Sequence, residues 1–95
     1  MCDDATATPL LSHDQTRVTR FDFAPGAQTG WHVHDYDYVI VALTDMTMRL
    51  ELPGGEVREV TTPAGAAYRR EAGTEHNVIN AGTAPMSFVE VEFLR

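Results

Sequence analysis

Met46-Thr47-Met48-Arg49-Leu50-Glu51-Leu52 alternates apolar and polar side chains without a break. A repeat of two is the periodicity of a β-strand with one buried and one wet face. Pro53-Gly54-Gly55 follows and supplies a tight turn. Residues 56–61 read as the returning strand, so the segment is an antiparallel hairpin. On either side of it the texture repeats. In residues 17–23, Thr19, Phe21 and Phe23 share one face and Arg20 and Asp22 the other. In the tail, Ser87, Val89, Val91 and Phe93 alternate with Phe88, Glu90 and Glu92. Residues 38–43 are apolar on both faces, and Thr44-Asp45 turns the chain after them. Such a run needs cover on both sides, from a second sheet and from a partner subunit, which predicts a homodimer. No stretch carries apolar residues at helical spacing over three turns. Short strands between Gly, Pro, Asn and Asp breakers predict an all-β sandwich or barrel.

Size and charge narrow the function classes. A chain of 95 residues is one domain. Residues 1–16 mix small, polar and acidic types. They read as an N-terminal arm, or as a strand that orders against a partner subunit, with residues 17–95 as the single domain. The longest apolar run is six residues, too short for a transmembrane helix. Nothing at the start resembles a secretory signal. A single cysteine, Cys2, excludes an internal disulfide framework. A cytoplasmic location is expected. Fourteen acids against seven bases, all Arg, leave a net charge of −7. That balance argues against nucleic acid and against anionic membranes as partners, because both need a positive face. A small-molecule ligand or substrate is the expected partner.

His32 and His34 are two apart. On a strand they point to one face with Cα atoms roughly 6–7 Å apart, close enough to converge on one divalent ion. A third ligand must come from elsewhere in the sheet. His76, at the end of Glu71-Ala72-Gly73-Thr74-Glu75 and at the start of an apolar strand, is the candidate. His13 lies in the polar arm and is read as solvated.

The residues around these histidines carry a family resemblance. Gly26-x5-His32-x-His34-x3-Tyr38 is similar to the first cupin motif, Gly-x5-His-x-His-x3,4-Glu-x6-Gly. Gly65-x5-Glu71-x-Gly73-x2-His76-x3-Asn80 resembles the second, Gly-x5-Pro-x-Gly-x2-His-x3-Asn. The resemblance implies a double-stranded β-helix, the antiparallel jelly-roll barrel of the cupins. It also implies a divalent transition metal (Fe, Zn, Ni, Mn or Cu) held by His32, His34 and His76. Asp45 stands at the first motif's last Gly, where Asp tolerates the left-handed conformation of a turn. Glu71 stands at the second motif's Pro.

Tyr38 stands where the family usually has a Glu ligand, which makes it the candidate catalytic residue. Three neutral imidazoles would leave the ion its full 2+ charge and favour anionic ligands in the open positions. Asp35 and Asp37 point away from the histidines on a straight strand, but a turn after His34 would swing Asp37 inward. Tyr38 and Asp37 thus both remain in place of the missing Glu. Tyr36, Tyr68, Arg70 and Glu90 are candidates for the pocket mouth, and Asn80 for a supporting contact or a turn. Cupins resembling this chain in lacking the Glu include thiol and diketone dioxygenases. Trp31 and Arg69-Arg70 resemble a subgroup of small bacterial cupins tied to amino-acid catabolism. The expected function is a metal-dependent enzyme, with dioxygenases in range, acting on a small organic acid or related metabolite. The alternative is a non-catalytic binding or sensing module.

Overall fold

The computed structural model describes residues 3–94. Those residues form nine strands: β1 (Thr6–His13), β2 (Thr16–Phe23), β3 (His32–Val33), β4 (Asp37–Ala42), β5 (Met46–Glu51), β6 (Val57–Thr62), β7 (Ala67–Arg70), β8 (Glu75–Asn80) and β9 (Met86–Phe93). They make two antiparallel sheets, ordered β1-β2-β9-β4-β7 and β3-β8-β5-β6. The sheets face one another across a core of Phe23, Ile40, Met46, Met48, Met86 and Phe88. This is the jelly-roll barrel that the sequence predicts.

The β5–β6 hairpin forms as read. Met46, Met48 and Leu50 are buried, while Thr47, Arg49 and Glu51 are not. Gly54 and Gly55 take φ of 80° and 82°, a region that costs other residues strain. The Leu52 N–H closes the turn on the Glu56 carbonyl at 2.8 Å. β4 has the expected two-sided character. Its inner face of Tyr38, Ile40 and Ala42 is buried, and Val39 and Val41 on the outer face are half-buried. Asp45 differs from expectation, since no residue other than Gly has positive φ among the described residues. It serves its turn through the side chain instead, with Oδ1 accepting the Ala64 N–H at 2.9 Å.

Residues 1–16, read as an arm or as a strand against a partner subunit, include the edge strand β1. It pairs with β2 of the same chain, from Thr6 opposite Asp22 to His13 opposite Thr16. Pro9 is tolerated there because an edge strand has an unpaired side, and a bulge follows between Pro9 and Leu11.

The inner faces share a gradient. β9 runs Met86, Phe88, Glu90, Glu92 along its inward side, all four buried. β2, antiparallel to it, places Phe23, Phe21, Thr19 and Arg17 opposite those positions. β4 contributes Ala42, Ile40 and Tyr38, and β8 contributes Asn80, Val78 and His76. One end of the barrel is therefore apolar and closed, and the other is polar.

Asn80 seals the closed end. Its Nδ2 donates to the carbonyls of Phe23 (3.3 Å), Ala24 (3.3 Å) and Ala84 (2.9 Å). Its Oδ1 accepts the Gly82 N–H at 3.0 Å. Asn80 is thus a turn staple, and the second motif ends on it for a folding reason.

Candidate metal centre

β3 and β8 pair so that His32 lies directly opposite His76. His34 follows two residues after His32 and is tied to the loop before β8. Its N–H donates to the Thr74 carbonyl at 2.9 Å, and its carbonyl accepts the Gly73 N–H at 2.8 Å. Gly30, at φ 86°, turns the chain into β3, and Asn77 Oδ1 accepts its N–H at 2.9 Å. Cross-strand pairing and period two thus bring together three rings that are 44 residues apart along the chain.

The three imidazoles converge. His32 Nε2 lies 2.9 Å from His34 Nε2, which lies 3.2 Å from His76 Nε2. The rings meet edge to face, with interplanar angles of 78°, 69° and 87°. One ion with bonds of about 2.0–2.1 Å separates neighbouring nitrogens by about 2.9 Å at a right angle and about 3.3 Å at a tetrahedral one. The observed spacings fall at these values. The Gly30 carbonyl lies 2.9 Å from His32 Nδ1 and accepts its proton, which leaves the Nε2 lone pair facing inward. Burial, with the neighbouring His32, pushes His34 down to about 4 and His76 down to about 3, so both are neutral donors at pH 7. Nitrogen-only ligation suits transition metals over Mg or Ca. The three histidines are positioned to hold such an ion, and the donor set fits it.

Tyr38 borders this group. Its ring stacks on His34 with centroids 3.9 Å apart and planes at 22°. Its hydroxyl is buried and makes no close hydrogen bond, with only a weak interaction with the Thr74 side chain. Burial, then the nearby Glu90, pushes the phenol up, so it keeps its proton. Asp37 does not turn inward. Its carboxylate takes Arg69 at 2.6 Å and the Ala72 N–H at 2.8 Å on the outer face, because strand parity persists from Asp37 to Tyr38. Asp35 is exposed. Neither carboxylate joins the histidines.

The histidines open on a cavity of about 340 Å³. Ile40, Met48, Leu50, Val78 and Phe88 form its apolar floor, and Tyr68, Arg70 and Glu90 line it as the sequence suggests. Tyr36 lies outside, beneath the Arg17 guanidinium at 5.9 Å from the ring centroid. Two charged residues of the cavity, Arg17 and Glu92, are not marked out by the sequence. They form a forked pair at 2.7 and 3.0 Å. Glu90 sits beside them with Oε1 3.7 Å from His34 Nδ1. Burial, then the charge of Glu92, pushes Glu90 up to about 7, against the pull of Arg17. Arg17 and Glu92 lie 75 residues apart, and only the β2–β9 register joins them.

Fold and pocket together define a small barrel with three histidines positioned to hold a metal ion at the wall of a cavity at its polar end. The family model of the cupin domain matches residues 19–92, and the chain belongs to the cupin family. It is 50% identical over 88 residues to the β-alanine degradation protein BauB of Pseudomonas aeruginosa, covering 93% of this chain and 92% of that one. A cupin-domain crystal structure from Bordetella pertussis superposes with a TM-score of 0.93 at 38% identity, over 98% of this chain and 96% of that one. The polyketide cyclase RemF of Streptomyces resistomycificus shares the fold at a TM-score of 0.76 and 23% identity, covering 99% of this chain and 70% of that one.

Proposed function

We propose that this protein is a metal-dependent enzyme acting on a small organic acid or related metabolite, with oxygenation among its candidate reactions. His32, His34 and His76 are the protein ligands of a divalent transition metal, and Tyr38 is the catalytic side chain beside them. The observation that carries this reading is the convergence of three Nε2 atoms, 2.9 and 3.2 Å apart, at the wall of a cavity. His32, His34 and His76 would hold the ion as neutral imidazoles, and it would supply Lewis-acid chemistry there. The chain's own groups do the positioning. The Gly30 carbonyl fixes the His32 ring, the Tyr38 ring fixes the plane of His34, and the unpartnered Tyr38 hydroxyl is a donor for a substrate oxygen. The apolar floor of Ile40, Met48, Leu50, Val78 and Phe88 offers hydrocarbon contact to a bound molecule. The relative named for β-alanine degradation supports a carboxylate-bearing metabolite, since β-alanine is itself a small carboxylate.

The outer face of the five-stranded sheet supports a homodimer. Leu11, Val18, Val91 and Val39 lie on one cross-strand row, with Val89 and Val41 on the next. Sedimentation as a stable monomer at micromolar concentration refutes the dimer.

Elemental analysis of purified protein tests the metal reading. One ion per chain in the wild type and its loss in His76→Ala are expected. Substoichiometric metal, with a melting temperature unchanged by chelation, refutes it. Oxygen uptake with Fe(II) and candidate carboxylates tests oxygenation. Bound ion and ligand without turnover across a broad metabolite panel would make the protein a binding module.

A further inference from the structure

We propose that Arg70 is the anchor for a substrate carboxylate, so that the cavity takes short-chain monocarboxylates with the acid group on Arg70. This deepens the small-organic-acid reading and rests on it.

Four inward positions lie in register across β2, β9, β4 and β7: Arg17, Glu92, Tyr38 and Arg70. The first two neutralise each other through two hydrogen bonds. Tyr38 then separates Glu92 from Arg70 by two strand spacings, about 10 Å between backbones. Among the described residues Arg70 pairs with no carboxylate. Its one hydrogen bond is to the Arg69 carbonyl at 3.2 Å. A guanidinium has five N–H donors in a planar fork matched to carboxylate geometry, so most of this fork is free. The group lies over the Tyr68 ring, 4.5 Å from its centroid, which holds its plane in place.

The neighbouring arginine shows the contrast. Arg69 faces outward and is occupied by Asp37 at 2.6 Å. Strand parity thus splits the pair into one structural and one cavity-facing guanidinium. Arg70 and His76 line the same cavity, so the guanidinium and the three imidazoles face one bound molecule. Beyond Arg70 lies the floor of Ile40, Met48, Leu50 and Phe88, which suits a short apolar chain. A carboxylate on Arg70 leaves the rest of the molecule between that floor and the three imidazoles.

Calorimetric titration with propionate and with propionamide, which differ in charge but hardly in shape, tests the proposal on the whole protein as purified. Propionate is expected to bind saturably and about tenfold or more tighter than propionamide. Arg70→Gln is expected to remove that preference and leave propionamide unaffected. Arg70→Lys keeps the charge but loses the fork and should fall between the two. It decides the matter if the Gln variant fails to fold. No saturable binding of propionate, no preference over the amide, or full propionate affinity in a folded Arg70 variant overturns the proposal. The metal reading fails separately. A protein that purifies without metal, yet prefers propionate through Arg70, sinks that reading and leaves this one. In His76→Ala the ion should go while the Arg70-dependent preference stays.

Discussion

The two ends of the barrel are built from the same strands and do opposite work. At the closed end Phe23, Ala42, Met46 and Met86 meet with almost no exposure, and Asn80 ties the surrounding turns. At the open end the same inner faces present Arg17, Glu92, Tyr38, Arg70 and His76 around a cavity. The closed end holds close-packed hydrocarbon and satisfied backbone groups. The open end holds buried donors and acceptors, one of them unpartnered. Burying polar groups costs free energy, so the closed end must offset what the open end costs.

That contrast breaks most severely at the closed end. Phe23→Ala should cost ~3–5 kcal/mol, because a fully packed ring leaves a cavity behind. Chemical denaturation measures it, and a loss near zero would mean that this end is not the anchor. Asn80→Ala should cost ~1–3 kcal/mol by stranding the carbonyls and the N–H it now satisfies. Metal content per folded chain should stay at its wild-type value in that variant, which elemental analysis checks.

The open end responds to protons. In metal-free protein the unfolded chain takes up protons on His34 and His76 near 6.5, whereas the folded chain waits until about 4 and about 3. Their contribution is present above pH 6.5 and is lost as pH falls through that window. Glu90 acts with the opposite sign. Raised from 4.5 to about 7, it contributes stability below pH 4.5 that is lost as pH rises through 7. Two groups outweigh one, so melting temperature should drop on acidification from pH 6.5 to 5. A flat profile would contradict the burial of these rings. The smallest stability change is expected for His32→Ala, whose ring is only partly buried, at less than ~1 kcal/mol in metal-free protein. Its metal content should nonetheless collapse, and metal retained at full stoichiometry would sharpen the contrast the wrong way.

Much of this was legible in the sequence, for physical reasons. Period two in residues 46–52 and the Pro-Gly-Gly turn reported a hairpin because side-chain direction on a strand is local information. The spacing of His32, His34 and His76 within two long motifs reported a common site. The Arg17–Glu92 pair was illegible, since its partners meet only through sheet register. Alternation in 87–93 separated two faces but did not say which looks inward, and the glutamates prove to be the inner set. The sequence leaves the direction of Asp37 open, because a single residue of slip reverses it. The pairing of residues 6–13 with β2 was also hidden, as its side chains are exposed throughout and carry little burial pattern.

The edge strand β1 has a consequence for how this protein behaves in a crowded solution. Its outer flank is a row of backbone groups on which another polypeptide could template itself. Pro9 has no amide hydrogen to offer such a newcomer, and the irregularity after it disturbs the even spacing that continued ladder growth requires. The sheet stops there by construction, which guards this border against fibre-like stacking.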